Sequence, residues 1–284
     1  MTQARARKQG GSRPLSAGRL RRAVTGAAVA ASLAVAACAT NPVTGRSQFI
    51  MIPASQDVAL GAQAFAEVRQ SEPVVTTGPD AERLQRIGAR IARVAKADAP
   101  HLQFEFVIIE KPTVNAWALP GGKIAIYRGM LNRLEDDHQV AAVLGHEAAH
   151  AVLRHGAERV SRAQATNLVI GAAGVGLAAG TDGGSQMAGL AITAAALATQ
   201  IGSALPHSRL MELEADDIGT LYMARAGYDP RAAVRVWQIM MAKRDGGSPP
   251  QWLSTHPADH KRIAQLQSRM GVYMAEYQRA GGRP

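Results

Sequence analysis

His146-Glu147-Ala148-Ala149-His150 sets two imidazoles four residues apart, with a carboxylate beside the first. On a helix, positions four apart lie about 40° from eclipsed and about 6 Å apart along the axis, so both rings leave one face. Two nitrogens so placed suit one zinc ion, with His146 and His150 as ligands. Glu147 then stands beside the metal without having to bind it. There it can take a proton from an activated water and later return it to a leaving amine. The chemistry implied is hydrolysis of a peptide bond. A five-residue pattern also arises by chance, and two histidines on a helix can be core or surface residues. The surroundings favour chemistry: Val140, Val143, Leu144, Ala148 and Val152 recur at helical spacing, and alanines at 148, 149 and 151 mark the helix as buried. A buried helix does not hold two histidines and a glutamate side by side without partners.

A catalytic zinc needs a third protein ligand and an open fourth position. Metzincins place a Gly and a His at set distances after the second ligand; Leu153 and Gly156 stand there instead, which excludes that class. The cluster Glu212-Leu213-Glu214-Ala215-Asp216-Asp217 follows, on a segment with helical character through Ala224. Glu212 and Asp216 are four apart and share a face, while Glu214 points elsewhere. One of the pair could ligate zinc and the other hold a ligand histidine by its outer nitrogen, fixing its tautomer. An acidic helix face in water is the plainer reading and fits Asp217.

The elements that must position these groups form a mainly helical α+β domain. A helix over 55–67 starts with Ser55 as N-cap, and Asp80 caps a second over 81–97 whose apolar face is Leu84, Ile87, Ile91 and Val94. Phe104–Ile109 and Lys123–Tyr127 have strand composition, with Asn115–Gly122 extended between them and turned by Pro120-Gly121-Gly122. Together they predict a small antiparallel sheet before the histidine-bearing helix. Its edge, at Asn115 and Ala116, can pair with an extended substrate main chain; otherwise the hairpin only covers the core. Residues 163–205 are nearly free of charge and split into two short apolar halves, a helical hairpin packed on the histidine-bearing helix; plain core packing is its first role, with a lid or contact with a bilayer surface as the alternatives.

The N-terminus carries an address. Residues 1–22 hold seven Arg or Lys and no acid, and Ala23–Ala37 is an apolar run ending in Val35-Ala36-Ala37-Cys38. That is a signal peptide over 1–37 whose apolar run is too short to span a bilayer, and residues 35–38 resemble the bacterial lipobox in which the cysteine becomes the lipid-modified N-terminus. Cys38 is the chain's single cysteine, so no disulfide framework explains it. The net charge of +10 falls to +3 once the seven signal charges are removed, which leaves no electrostatic case for nucleic acid. Ala39 after the cysteine favours the outer membrane by resemblance to enterobacterial lipoproteins. The turn-rich Asn41–Arg46 leads a tether over 38–54, and a single domain occupies 55–284.

LGHEAAHAVLRH, followed some way on by SRLMELEADDIG, resembles the gluzincin metallopeptidases that include HtpX, the CAAX prenyl endopeptidase, and periplasmic peptidases such as BepA and LoiP. NAWALPGG, Thr255-His256-Pro257 with Arg262, and NPVTGR behind a lipobox resemble the periplasmic lipoprotein members in particular. The resemblance implies one zinc per chain, Glu212 as third ligand and Asp216 as the residue holding a ligand. It places His256 near the zinc, capping the open position or aiding the transition state, and gives Arg262 the acidic cluster or the substrate to steady. His155 faces away from the metal on a helix and is structural, as is His138. Convincing transmembrane helices and tandem helical repeats, present in some relatives, are not expected. The implied activity is lipid-anchored proteolysis of misfolded or unassembled envelope proteins. The rival reading is a lipid-anchored binding or assembly factor with a latent metal site.

Overall fold

The computed structural model describes residues 38–174, 208–242, 250–257 and 260–283. The expected signal region 1–37, most of the expected hairpin 163–205 and residues 243–249 lie outside them.

Among the described residues six strands form two sheets. Strands β1 (Cys38–Thr40) and β2 (Ser47–Phe49) make an antiparallel pair. The other sheet runs β3 (Val74–Val75), β4 (Glu105–Ile109), β6 (Lys123–Tyr127), β5 (Ala116–Leu119). It is mixed rather than antiparallel throughout. β5 and β6 pair antiparallel across the Pro120–Gly122 turn as the sequence implies, but β4 and β6 run parallel. The cause is the outward detour of the chain through β5, so that β6 returns in the direction of β4 and lies against it. Gly121 and Gly122 adopt φ of 76° and 87°, left-handed values that let the turn close.

Helices pack on both sides of this sheet. α1 (Asp57–Ser71) follows a short 3-10 turn that contains Ser55, so the helix begins two residues past the expected cap. α2 (Pro79–Ala95) opens with proline in its first turn, a position where the missing N–H is not needed. Asp80 lies inside that turn instead of capping it, and Leu84, Ile87 and Ile91 are buried against the core. After the single turn α3 (Arg128–Leu131), α4 (Asp137–Val152) carries the HExxH residues. Its cap is Asp136, whose carboxylate accepts from the Gln139 N–H. α5 (His155–Gly174) follows after a break at Arg154, which has φ of 56°. That strained backbone is held by Arg154 donating to the Asp57 carboxylate and the Ile52 carbonyl.

α6 (Arg209–Arg225), capped by Ser208, crosses α4 at the centre of the domain. α7 (Arg231–Ala242), the five-residue α8 (Gln251–Thr255) and α9 (His260–Arg279) complete the fold. Among the described residues no helix is long and apolar enough to cross a membrane.

The stretch from 38 to 54, expected to be a tether, is docked on the domain. Asn41 is buried; its amide donates to Gln48 and to the Leu153 carbonyl at the end of α4, while its oxygen accepts from the Val43 and Thr44 N–H groups.

Candidate metal centre

α4 is apolar on nearly every side, so His146, Glu147 and His150 are buried with it, each at most 5 % exposed. α6 brings Glu212 to the same point, and the residue just past α8 is His256; both are buried too. His146, His150, Glu212 and His256 each offer one ligand atom, and these atoms all lie within 4.8 Å of one another.

The separations fit a single small cation. His146 Nε2 is 3.1 Å from His150 Nε2 and 3.2 Å from His256 Nδ1. Glu212 Oε1 lies 3.3 Å from His150 Nε2 and 3.1 Å from His256 Nδ1. A zinc bound to nitrogen at about 2.0–2.1 Å in a tetrahedron has donor-to-donor edges of about 3.4 Å. Nitrogen and carboxylate donors in a water-poor pocket are the set zinc prefers, and the residues present fit one zinc ion.

Outer contacts aim the two α4 histidines. His146 Nδ1 faces Asp216 Oδ1 at 3.0 Å, and its Nε2 faces the cluster. Asp216 is itself gripped by Arg262, through Nε at 2.6 Å and Nη2 at 2.7 Å. The same guanidinium reaches Glu212 Oε2 at 2.6 Å and lies over the Trp237 ring at 3.7 Å. Arg262 is 2 % exposed, so one buried cation balances both buried acids.

Burial opposes charge on His146, yet Asp216 and Glu212 outweigh it and hold the ring up at about 9. His150 lacks such compensation, and burial pushes it well below the ordinary imidazole value. Burial also works to raise Glu212, but its neighbours His256 and Arg262 hold it well below the ordinary carboxylate value. Asp216 is likewise lowered, its burial overcome by Arg262. Both acids are therefore ionised where a cation would sit.

Glu147 is 1 % exposed and stands beside the donors without joining them. Its Oε1 lies 3.5 Å from His256 Nε2 and accepts from Trp252 Nε1 at 3.4 Å. Trp252 stacks on Trp237 with ring centres 4.6 Å apart, so two indoles wall this side of the site.

Asn115 and Ala116 are both buried, and the Asn115 side-chain oxygen already accepts the Ala116 N–H. β5 is an edge strand, as the sequence implies. Asn115 bonds to Tyr127 of β6, so the alternating ladder turns the polar backbone of Ala116 and Ala118 outward. Ala118 shares the lining of a small cleft with His150. The sequence singled out its neighbours and missed it.

Two other polar residues have partners the sequence did not indicate. His155 is fully buried with Nδ1 2.9 Å from His150 Nδ1, because the break at Arg154 swings it back toward α4. Asp217 accepts from Arg269 and Tyr273 of α9 instead of facing water. His138, expected to be structural, accepts the Asp229 N–H.

The model for peptidase family M48 matches residues 79–270. The mitochondrial metalloendopeptidase OMA1 of Schizosaccharomyces pombe is 32% identical over 230 residues, covering 80% of this chain and 64% of its own. The human mitochondrial metalloendopeptidase OMA1 is 32% identical over 238 residues, 80% of this chain and 44% of its own. The beta-barrel assembly-enhancing protease of Escherichia coli K12 is 28% identical over 233 residues, 81% of this chain and 47% of its own. The chain thus spans less than two thirds of the length of each of these relatives. It belongs to peptidase family M48, and its buried His-His-Glu-His cluster suits the one zinc ion of a metallopeptidase.

Proposed function

We propose that the chain is a zinc-dependent metalloendopeptidase in which His146, His150 and Glu212 hold the metal. The observation that carries this reading is a buried cluster of four donor residues, His146, His150, Glu212 and His256, with a second carboxylate, Glu147, beside it and outside it. When bound, zinc polarises the scissile carbonyl and activates a water molecule. Glu147 accepts the proton of that water and delivers it to the leaving amine. Asp216 and Arg262 keep His146 and Glu212 in place through the contacts given above. An extended substrate adds to the β5 edge, where outward backbone groups near Asn115, Ala116 and Ala118 are the pairing surface. His256 either steadies the developing oxyanion from beside Glu147 or, in the arrangement seen, occupies the place a water would need.

The substrates are misfolded or unassembled envelope proteins, and the enzyme is held by lipid at Cys38 on the periplasmic face of the outer membrane. The signal and lipobox pattern before Cys38 support this, as does similarity to an Escherichia coli protease named for β-barrel assembly. A second reading, a lipid-anchored binding or assembly factor with a latent site, is favoured by one feature: His256 lies within the donor cluster.

Zinc content and casein hydrolysis of the full chain, beside Glu147→Gln and Glu212→Ala, test the enzyme. One zinc per chain with hydrolysis lost in Glu147→Gln but metal retained supports it; no bound zinc overturns the site. Retention of the cellular phenotype by Glu147→Gln would favour the binding factor. Acylation of the mature protein, abolished by Cys38→Ser, tests the anchor; an unmodified, soluble product would remove it.

A further inference from the structure

On the far side of His150 lies a run of buried and half-buried polar groups that the proposed chemistry leaves unused. His155 Nε2 lies 3.1 Å from Glu214 Oε2, and His155 Nδ1 lies 2.9 Å from His150 Nδ1. Glu214 in turn accepts from Arg46 Nε through both oxygens, at 2.8 and 2.9 Å. Arg46 uses its other two nitrogens on Glu158, at 3.0 and 2.8 Å.

With His155 neutral, the described contacts set the hydrogens along this run in one direction. An ionised carboxylate only accepts, so the hydrogen of His155 sits on Nε2, facing Glu214. The Nδ1 of a neutral His155 is then a lone pair, and His150 Nδ1 must donate to it. That leaves His150 Nε2 without a hydrogen and turned toward His146 and Glu212, the form a metal requires. His146 has Asp216 to fix its tautomer directly; His150 is fixed at one remove. Glu214 would swing without Arg46, and Arg46 belongs to the turn between β1 and β2.

We propose that Arg46, Glu214 and His155 are positioning residues that set the tautomer and orientation of the zinc ligand His150, making the docked N-terminal hairpin part of the metal site. This rests on the metal-centre reading above. The hairpin residues Asn41 and Gln48 brace the arrangement: both donate to the Leu153 carbonyl, and Gln48 also donates to Glu158.

The test is the zinc affinity of the full chain, measured by competition with a chromophoric chelator, together with the visible absorption of the cobalt-substituted protein. Losing an outer partner of a ligand histidine typically weakens metal binding about 10- to 100-fold. That range is expected for His155→Ala, roughly its lower end for the isosteric Glu214→Gln, and a smaller loss for Arg46→Ala that Arg46→Lys partly restores. The cobalt band should shift in each. A purely structural role would lower the melting temperature of the zinc-free protein while leaving affinity and cobalt spectrum unchanged, and that result overturns the proposal. If His155→Ala does not fold, Glu214→Gln decides. A parent chain that binds no zinc would remove the metal-centre reading; a parent that binds it, with folded variants binding equally well, would remove only the relay.

Discussion

Gly145 and Gly219 meet backbone to backbone where α4 crosses α6. A Cβ on Gly219 would stand 2.7 Å from the His146 backbone nitrogen, and one on Gly145 would stand 2.6 Å from the Gly219 carbonyl oxygen. Both distances are closer than side chains tolerate, so these glycines set how near the helix of His146 and His150 comes to the helix of Glu212. Gly219→Ala should force the helices apart and lower stability by about 1–3 kcal/mol, the usual cost of overpacking a filled core. Zinc affinity should fall with it, because the carboxylate recedes from the imidazoles. Thermal unfolding with and without zinc checks both effects; an unchanged melting temperature would mean the crossing has room to spare.

Arg262 reaches both Glu212 and Asp216, and it is buried with them. Removing one partner from a buried ion pair typically costs about 3–5 kcal/mol, because the remaining charge stays without compensation. Arg262→Ala should therefore unfold the domain at markedly lower denaturant concentration. Arg262→Lys should recover little, since one ammonium cannot reach both acids and also lie flat on Trp237. Chemical denaturation of the three proteins measures this, and full recovery by lysine would refute it.

His256 fills the fourth corner of the donor set, and a catalytic zinc requires that corner for water. His256→Ala should keep its zinc on the remaining three residues and hydrolyse casein faster than the parent. If the variant holds zinc but loses activity, His256 acts on the substrate and not as a plug.

Glu158 links acid stability to the N-terminal hairpin. Burial tends to raise its pKa, but Arg46 and Arg162 outweigh this and hold it below the ordinary value of 4.5. A lowered folded value means the stabilisation is complete above the ordinary value and is lost as pH falls through the folded one. The melting temperature should therefore drop steeply below about pH 5, and less steeply in Arg46→Ala, which has already lost the pair. Parallel curves for the two proteins would show that the pair contributes nothing.

The helix of His146, Glu147 and His150 was legible because its apolar spacing and its chemistry coincide within a few residues. Glu212 and Asp216 could not be told apart by spacing, since both lie on one helical face. What separates them is the position of His150 on one side and His146 Nδ1 on the other, a tertiary matter. The contact of His155 with His150 was hidden because Leu153-Arg154 contains neither glycine nor proline, so nothing local announces the break that turns it back. Strand direction is equally invisible in a residue pattern, hence the parallel β4 and β6. Polar turn residues such as Asn41 and Arg46 look alike whether docked or free. The partners of Arg46 lie 112 and 168 residues away, beyond any local signal.

The separations among the donors carry a last consequence, in chain entropy. His146 and His150 are four residues apart and arrive together on one helix, whereas His256 is 110 residues from His146. The cost of closing a loop grows with the logarithm of its length, so the last donor to join is also the one whose release returns most freedom to the chain. It follows α8, a helix of five residues and too short to persist alone. What holds that helix is Trp252, by its stack on Trp237 and its N–H to the Val114 carbonyl. A metal ion held by both His146 and His256 would therefore tie together parts of the chain that are far apart in sequence, one of them seated by a single indole stack.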